Sequence, residues 1–281
     1  MDLPGGDERM PETMHEIGGE QIFVADSGGD LPALLFIHGT MMDGTVWDKQ
    51  VAVFRDRYRC VCPDLRGHGR STARSPDISF EDHCDDLNTL IEELSLKDIT
   101  LLGWSMGGCI TQVFVTRYPG VVSRLVLIDT IPQRLSDEHF PYGQDPGSTP
   151  KTRHALETNF EATARGFGPR IAPEDEAVAA YISDLAARAR QDVTINDYVT
   201  TDERSQIGLL PHITLPTTIV SGDRDLVCKP GASTFMAEHI PGCTDGVHVI
   251  AGAGHAPFLT HADEFNAILS NALEAHDHAR G

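Results

Sequence analysis

The sequence predicts an α/β fold: a mostly parallel sheet flanked by helices, with a helical cap inserted after the sixth strand. Three observations predict it. Short apolar runs of strand length alternate with stretches of helical periodicity. Hydrophobic residues make up 40% and charged residues 23% of the 281-residue chain, ordinary globular usage with length enough for a large core. The alternation breaks once, between residues 131 and 212, where helical patterns follow one another without a strand.

In chain order, Gln21–Ala25 follows a Gly18-Gly19 turn and reads as a strand, and Leu34–Ile37 is a second one after Pro32. These two are expected to form an antiparallel edge, because tight glycine turns lie between them. Val46–Phe54 has helical spacing, and Tyr58–Cys62 is a strand closed by Pro63. Phe80–Leu94 reads as an amphipathic helix, with Leu87, Leu90, Ile91 and Leu94 on one side. Ile99–Leu102 is a strand and Met106–Tyr118 a helix stopped by Pro119-Gly120. Leu125–Ile128, Thr217–Val220 and Val247–Ile250 are apolar strands, and Ala262–Ala275 closes the chain as a helix. The interrupted stretch opens with Pro141, Gly143, Pro146, Gly147 and Pro150, then shows helical patterns near 151–165, 174–190 and 194–206. The expected division is a core of residues 15–130 and 213–278, with 131–212 as a cap or lid.

Lys plus Arg number 22 against 42 Asp plus Glu, a formal net charge of −20. A surface that negative repels phosphate backbones and anionic lipid, so neither nucleic acid nor a membrane is an expected partner. No apolar run approaches the ~18 residues that span a bilayer. Met1–Glu16 is polar and lacks an apolar h-region, so no secretory signal is expected. Six cysteines, at 60, 62, 84, 109, 228 and 243, are scattered and read as buried reduced thiols of a cytoplasmic protein. Cys60 and Cys62 are expected on opposite faces of their strand. His276-Asp277-His278 reads as a frayed terminus rather than a metal site, and no metal or organic cofactor is called for.

The sharpest local feature is Gly103-Trp104-Ser105-Met106-Gly107-Gly108, between a strand and a helix. In a G-x-S-x-G elbow the serine occupies a strained strand-to-helix turn that lifts its hydroxyl above the sheet. The flanking glycines are needed because side chains there would collide with the strand or the helix. A lone serine is a poor nucleophile, so acyl transfer also needs a base, an orienting carboxylate and oxyanion donors. The strand Leu34–Ile37 ends in His38-Gly39-Thr40, whose Thr40 N–H can turn toward the centre, with the Met106 N–H as its partner. Thr217–Val220 ends in Ser221-Gly222-Asp223-Arg224-Asp225, and Asp129 ends Leu125–Ile128, so three carboxylates compete for the acid role. His255 lies in the loop Gly252–Phe258 after the last strand. The order Ser, Asp, His is that of one hydrolase architecture. His38 and His68 read as structural turn residues, Asp223 as an Asx-turn residue, Cys109 as a small packed residue and Trp47 as core.

These residues give the chain its likeness. It resembles the α/β-hydrolase superfamily, in the capped esterase, haloperoxidase and lactonase-like group, through HGT at 38–40, Trp47, DLRGHGRS at 64–71, GWSMGG at 103–108, SGDRD at 221–225 and GAGHAPF at 252–258. The match runs from about residue 20 to 275, excluding most of the cap. The resemblance implies Ser105 as nucleophile, His255 as base, Asp225 as the orienting acid (three residues after Gly222), and Thr40 and Met106 as oxyanion donors. It implies cleavage of a small carboxylic ester through an acyl-enzyme. Lactone opening, cleavage of a pimeloyl-carrier methyl ester and cofactor-free perhydrolysis are the alternatives, and a ligand-binding receptor with a vestigial triad is a reading of another class. The carrier reading would draw on the basic cap residues Arg134, Lys151, Arg153, Arg165, Arg170, Arg188 and Arg190, among which acidic residues intervene. Trp104, Phe140, Tyr142, Phe160 and Phe167 are the expected substrate contacts.

Overall fold

A computed structural model describes residues 10–280, apart from the side chains of Pro230 and of residues 275–280. The reading of Met1–Glu16 therefore lies largely, and that of His276-Asp277-His278 in its side chains, outside the described residues. Among the described residues eight strands form one sheet: β1 (Glu12–Ile17), β2 (Glu20–Asp26), β3 (Ala33–Ile37), β4 (Arg59–Pro63), β5 (Thr100–Trp104), β6 (Arg124–Ile128), β7 (Thr217–Gly222) and β8 (Val247–Ile250). Their spatial order is β1-β2-β4-β3-β5-β6-β7-β8. From β4 to β8 all pairings are parallel.

The expected antiparallel edge is real but composed differently. It is the hairpin β1–β2, turned at Gly18 and Gly19 with φ of 59° and 79°, the pair of positive values a two-residue hairpin of matching twist requires. β3 is instead a central strand between β4 and β5. Its five residues, Ala-Leu-Leu-Phe-Ile, are all buried, which is the pattern of a strand covered on both faces and not of an edge. β1 left no apolar signal because Glu12, Thr13 and Met14 are exposed and are held chiefly by backbone pairing with β2.

The alternation along the central strands sorts side chains into two layers. Leu35, Ile37, Leu101, Leu125, Leu127 and Ile219 pack under α2 (Phe80–Glu93) and α3 (Met106–Arg117). Leu34, Phe36, Leu102, Val126, Ile128 and Val220 pack against Trp47, α1 (Asp48–Phe54) and the closing helix Ala262–Arg280. Trp47 stacks on Phe258 at 4.3 Å between centroids, the core role expected of it. Cys60 and Cys62 both fall in the second layer, a correction to the expected opposite faces: residues two apart in a strand share a face. All six thiols are free. A capping box of Ser79 and Asp82 starts α2, satisfying its first amides.

Between β6 and β7 runs the helical insertion: α4 (Thr149–Thr158), α5 (Phe160–Arg165), α6 (Gly168–Ile171), α7 (Glu176–Ala187) and α8 (Gln191–Asp202). Leu156, Ala164, Ile182 and Tyr198 of this segment belong to the second core layer, so it is packed down rather than tethered. Among the described residues no helix is long and apolar enough to cross a membrane.

The chain leaves β3 toward β4 on one side and returns to β5 on the other. That reversal opens a crevice at the carboxyl ends of β3 and β5. There β5 passes through Ser105 directly into α3. A Cβ on Gly103 would lie 2.6 Å from Gly107 O and from Thr111 Oγ1, and one on Gly107 would lie 2.5 Å from His38 O and press on Ile37 O. Neither backbone oxygen has room to withdraw. Gly107→Ala should therefore destabilise the fold by about 1–3 kcal/mol, as overpacked sites do. Gly208, where a Cβ would meet nothing within 4 Å, is the control, and its alanine variant should stay within about 0.5 kcal/mol in urea melts.

Candidate active site

Ser105 sits at φ 55°, ψ −120°, a conformation an L-residue holds only when its surroundings impose it. β6 and its loop impose it here. Ser105 N–H donates to Ile128 O at 3.1 Å, and Ser105 O accepts from Thr130 Oγ1 at 2.7 Å and from Cys109 N–H at 3.2 Å. The loop after β3 runs directly over the turn: a side-chain carbon on Gly39 would lie 3.2 Å from Ser105 Cβ. The N–H groups of Thr40 and Met106 have no acceptor among the described residues, and both residues line the same cavity as Ser105.

The carboxylate that meets His255 is Asp225. His255 Nδ1 lies 2.8 Å from Asp225 Oδ2, while Asp225 Oδ1 accepts from the amides of Val227 at 2.6 Å and Cys228 at 2.9 Å. The carboxylate accepts only, so the imidazole carries its proton on Nδ1 and presents Nε2. The backbone of His255 is tied on both sides: its N–H donates to Ile171 O at 2.8 Å, and its carbonyl accepts from Trp104 Nε1 at 2.7 Å. One of those ties comes from the insertion and the other from the residue beside Ser105.

The other two carboxylates are engaged elsewhere. Asp129 Oδ1 accepts from Gly222 N–H at 3.0 Å and from Ser221 Oγ at 3.1 Å. Burial first, and then the Asp225 charge, holds Asp129 well above the usual carboxylate range. Its Oδ2 has no partner of its own. Asp223 Oδ1 accepts from Gly252 N–H at 2.7 Å, so its carboxylate joins the two loops where a local Asx-turn was expected.

Ligand atoms of Asp225, Cys228 and His255 lie within 4.8 Å of one another, the set among the described residues with the spacing of a metal site. Asp225 Oδ2 and His255 Nδ1 are committed to each other, and Asp225 Oδ1 to two amides. Burial, then the charge of Asp225, pushes the Cys228 thiol far above its usual range, so it is held as S–H and not as the thiolate a metal takes. The arrangement works as a hydrogen-bonded Asp–His pair.

The cavity measures about 70 Å³ and is walled by Thr40, Ser105 and Met106 from the core together with Phe167, Arg170, Asp197 and Tyr198 from the insertion. Of the five aromatics expected to touch substrate, its wall contains Phe167. Trp104 is instead buried edge-on to Phe258 with ring centroids 5.0 Å apart, and Phe140 is buried between Tyr142 and Phe235. Tyr142 covers Gly231, and Phe160 packs on the second core layer. Cys109 does line the cavity, its thiol donating to Ile131 O at 3.2 Å. Sequence reasoning missed Asp197 and Tyr198 of α8, which no motif marks.

Beneath the Thr40 loop lie His38, His68 and His83, with centroids 5.3 Å apart for the first two and 6.3 Å for the last two. Leu65 N–H donates to His38 Nε2 at 2.9 Å, so His38 is neutral and gives its Nδ1–H to Gly39 O at 2.8 Å. Burial, and then the charge of His68, pushes it down to about 4. The same causes push His83 well below its ordinary value. His68 differs: Nδ1 faces Arg66 O at 3.1 Å and Nε2 faces Asp197 Oδ2 at 2.9 Å. Burial lowers its pKa, but the Asp197 charge and hydrogen bond outweigh burial and raise it. His38 and His68 are bound into the structure through both ring nitrogens, as expected, while His83 Nδ1 has no partner among the described residues.

A sequence pattern described as the alpha/beta hydrolase fold matches residues 32–262. The chain is 40% identical over 271 residues to a non-heme chloroperoxidase of Kitasatospora aureofaciens, covering 91% of this chain and 96% of the relative. It is 28% identical over 250 residues to a pimeloyl-[acyl-carrier protein] methyl ester esterase of Chromobacterium violaceum, covering 88% and 96%. Among solved structures, the bromoperoxidase of Bacillus anthracis superposes with a TM-score of 0.87 at 27% identity, covering 94% of this chain and all of that one. With the fold, the elbow and this likeness in agreement, the chain belongs to the α/β-hydrolase family.

Proposed function

We propose that the protein is a carboxylic ester hydrolase in which Ser105, His255 and Asp225 form the catalytic triad. The observation that carries the reading is the Asp225–His255 hydrogen bond, which fixes the imidazole with Nε2 presented, in the same site as the strained Ser105 turn. Ser105 Oγ attacks the ester carbonyl as His255 Nε2 takes its proton. The Thr40 and Met106 amides receive the oxyanion, and the alcohol leaves with the proton from His255. Water, deprotonated in turn by His255, then releases the acid and restores Ser105. No step draws on a metal or organic cofactor.

A cavity of about 70 Å³ suits a short acyl group, since on this measure one water needs roughly 10–15 Å³. The basic residues a carrier protein would need are largely neutralised within the insertion: Arg153 pairs with Glu157, Arg165 with Glu161 and Asp184, Arg190 with Asp192, and Arg134 with Asp202. A small free ester fits better than a carrier-bound one. Perhydrolysis is the second reading, favoured by the 40% identity to a chloroperoxidase. Hydrogen peroxide would then replace water, its oxygen attacking the acyl-enzyme to give a peracid and free Ser105. Residues 131–212 act in either case as the lid, and the free thiols suit a reducing, cytoplasmic compartment.

Ser105→Ala should keep the melting temperature and lose at least about a thousandfold in p-nitrophenyl acetate turnover; near-native turnover would remove the serine-hydrolase reading. Asp225→Asn keeps the shape but favours the wrong His255 tautomer, and should cost up to about ten-thousandfold in kcat. Asp129→Asn keeps the size of the group and should cost under about tenfold, because its carboxyl meets Gly222 N–H and Ser221 Oγ and not His255. The reverse ranking of the two asparagine variants would reassign the acid to Asp129. Turnover should also fall steadily from p-nitrophenyl acetate to octanoate, and a preference for octanoate would contradict the short-acyl assignment.

A further inference from the structure

We propose that Asp197, carried by α8 of the insertion, is a positioning residue that holds Thr40 in the geometry the oxyanion needs, so that the site is complete only with α8 docked. The inference rests on the esterase reading above. Thr40 Oγ1 donates to Asp197 Oδ2 at 2.5 Å, and the same oxygen meets His68 Nε2 at 2.9 Å. Three segments distant in sequence, namely the loop after β3, the loop after β4 and α8, thus converge on one carboxylate oxygen.

The charge of that carboxylate follows from its partners. Asp197 and His68 are 3% and 4% exposed, and a buried carboxylate is tolerated only when paired. His68 Nδ1 faces the carbonyl of Arg66, which only accepts, so Nδ1 carries a proton. A second proton on Nε2 makes the pair His68⁺–Asp197⁻, neutral as a unit. The neighbouring groups leave that balance intact. His38 and His83 are neutral, Asp64 is taken by Arg70, and Arg66 is taken by Asp86. A lone carboxylate beside the oxyanion would oppose the charge developing there, whereas the pair does not.

The bond also decides what Thr40 offers. Its hydroxyl is spent on Asp197, which fixes the side-chain rotamer and leaves the backbone N–H as the donor toward the cavity. α8 touches the core at other points, through Asn196 Nδ2 to Ile78 O at 2.8 Å and Arg190 to Ala73 O at 2.7 Å. Among the described residues Asp197 is its hydrogen-bonded link to the Thr40 loop. Withdrawal of α8 would free Thr40 and strip His68 of its counter-charge together, coupling the insertion's position to oxyanion binding.

Thr40→Val removes the hydroxyl, keeps the backbone N–H and leaves the Asp197–His68 pair in place. It should lower kcat about tenfold, less than the ~10²–10³ lost with a donor itself. KM should stay within about twofold, because the interaction acts in the transition state. Asp197→Asn should show the same split, and the double variant should lose no more than the larger single loss, the mark of two groups acting through one bond. Wild-type kcat in Thr40→Val, or losses that multiply in the double variant, would overturn the inference while leaving the Ser105→Ala result and the esterase reading standing. If Asp197→Asn does not fold, Thr40→Val decides alone. The ion pair has its own readout. The folded pKa of His68 is raised, so its contribution to stability is fully present below the unfolded value and is lost as pH climbs through the folded one. Wild-type melting temperature should therefore fall more steeply from about pH 6 to about pH 9 than that of Asp197→Asn; equal slopes would refute the charged pair.

Discussion

The site depends on one steric constraint: the Ser105 turn must hold a positive φ while the loop after β3 lies across it. Gly103 and Gly107 meet backbone at distances that leave no space for a side chain, Gly39 lies close over Ser105, and the β6 loop clamps Ser105 through both its N–H and its carbonyl. The strain is borne by the sheet. β5, which ends at the turn, is hydrogen-bonded to β3 and β6 on its two sides, and the clamp groups Ile128 and Thr130 lie at the end of β6. A central position in a parallel sheet therefore lets a short segment store unfavourable backbone energy at the crevice.

Electrostatics near the cavity follow a second rule, that buried acids and bases are paired or hydrogen-bonded. The chain carries −20 overall, yet near Ser105 even Asp225 is met by His255 Nδ1 and two amides. Asp197 has His68 and Arg134 has Asp202, while burial and the Asp225 charge hold Asp129 well above the usual carboxylate range. Cys109 and Cys228, pushed upward by burial, stay as thiols. In so dry a setting an uncompensated charge would dominate every other interaction. On the proposed mechanism, a developing oxyanion would be met by fixed amides and not by a surrounding negative field.

Local patterns revealed the fold and the triad candidates because both are written in short segments. Fully apolar runs mark strands covered on both faces, and glycine spacing marks the elbow. Two features escaped for the same physical reason. β1 is held by backbone pairing, which imposes no side-chain pattern on Glu12–Glu16, and the antiparallel edge was consequently assigned to β3. The cavity wall supplied by α8 is set by how the insertion docks. Asp197 is one acid among many in a chain with 42 acidic residues until its neighbours are known. The aromatics were misplaced similarly: composition placed them in the cap, but packing turned Phe140 toward Phe235 and left Phe167 facing the cavity.

Among the described residues are two buried Asp–His pairs within one region, and they differ in what each imidazole leaves open. In each, an aspartate oxygen lies within 3 Å of an imidazole nitrogen. His68 spends both nitrogens on acceptors, Arg66 O and Asp197 Oδ2, so it has no lone pair left to take a proton from anything else. His255 spends Nδ1 on Asp225, while its Nε2 has no protein partner among the described residues. Asp225 in turn has two amides on its other oxygen, which fix its plane and so the plane of the ring. A general base must be oriented on one side and open on the other. His255 meets that condition, and His68, closed on both sides, can only bind.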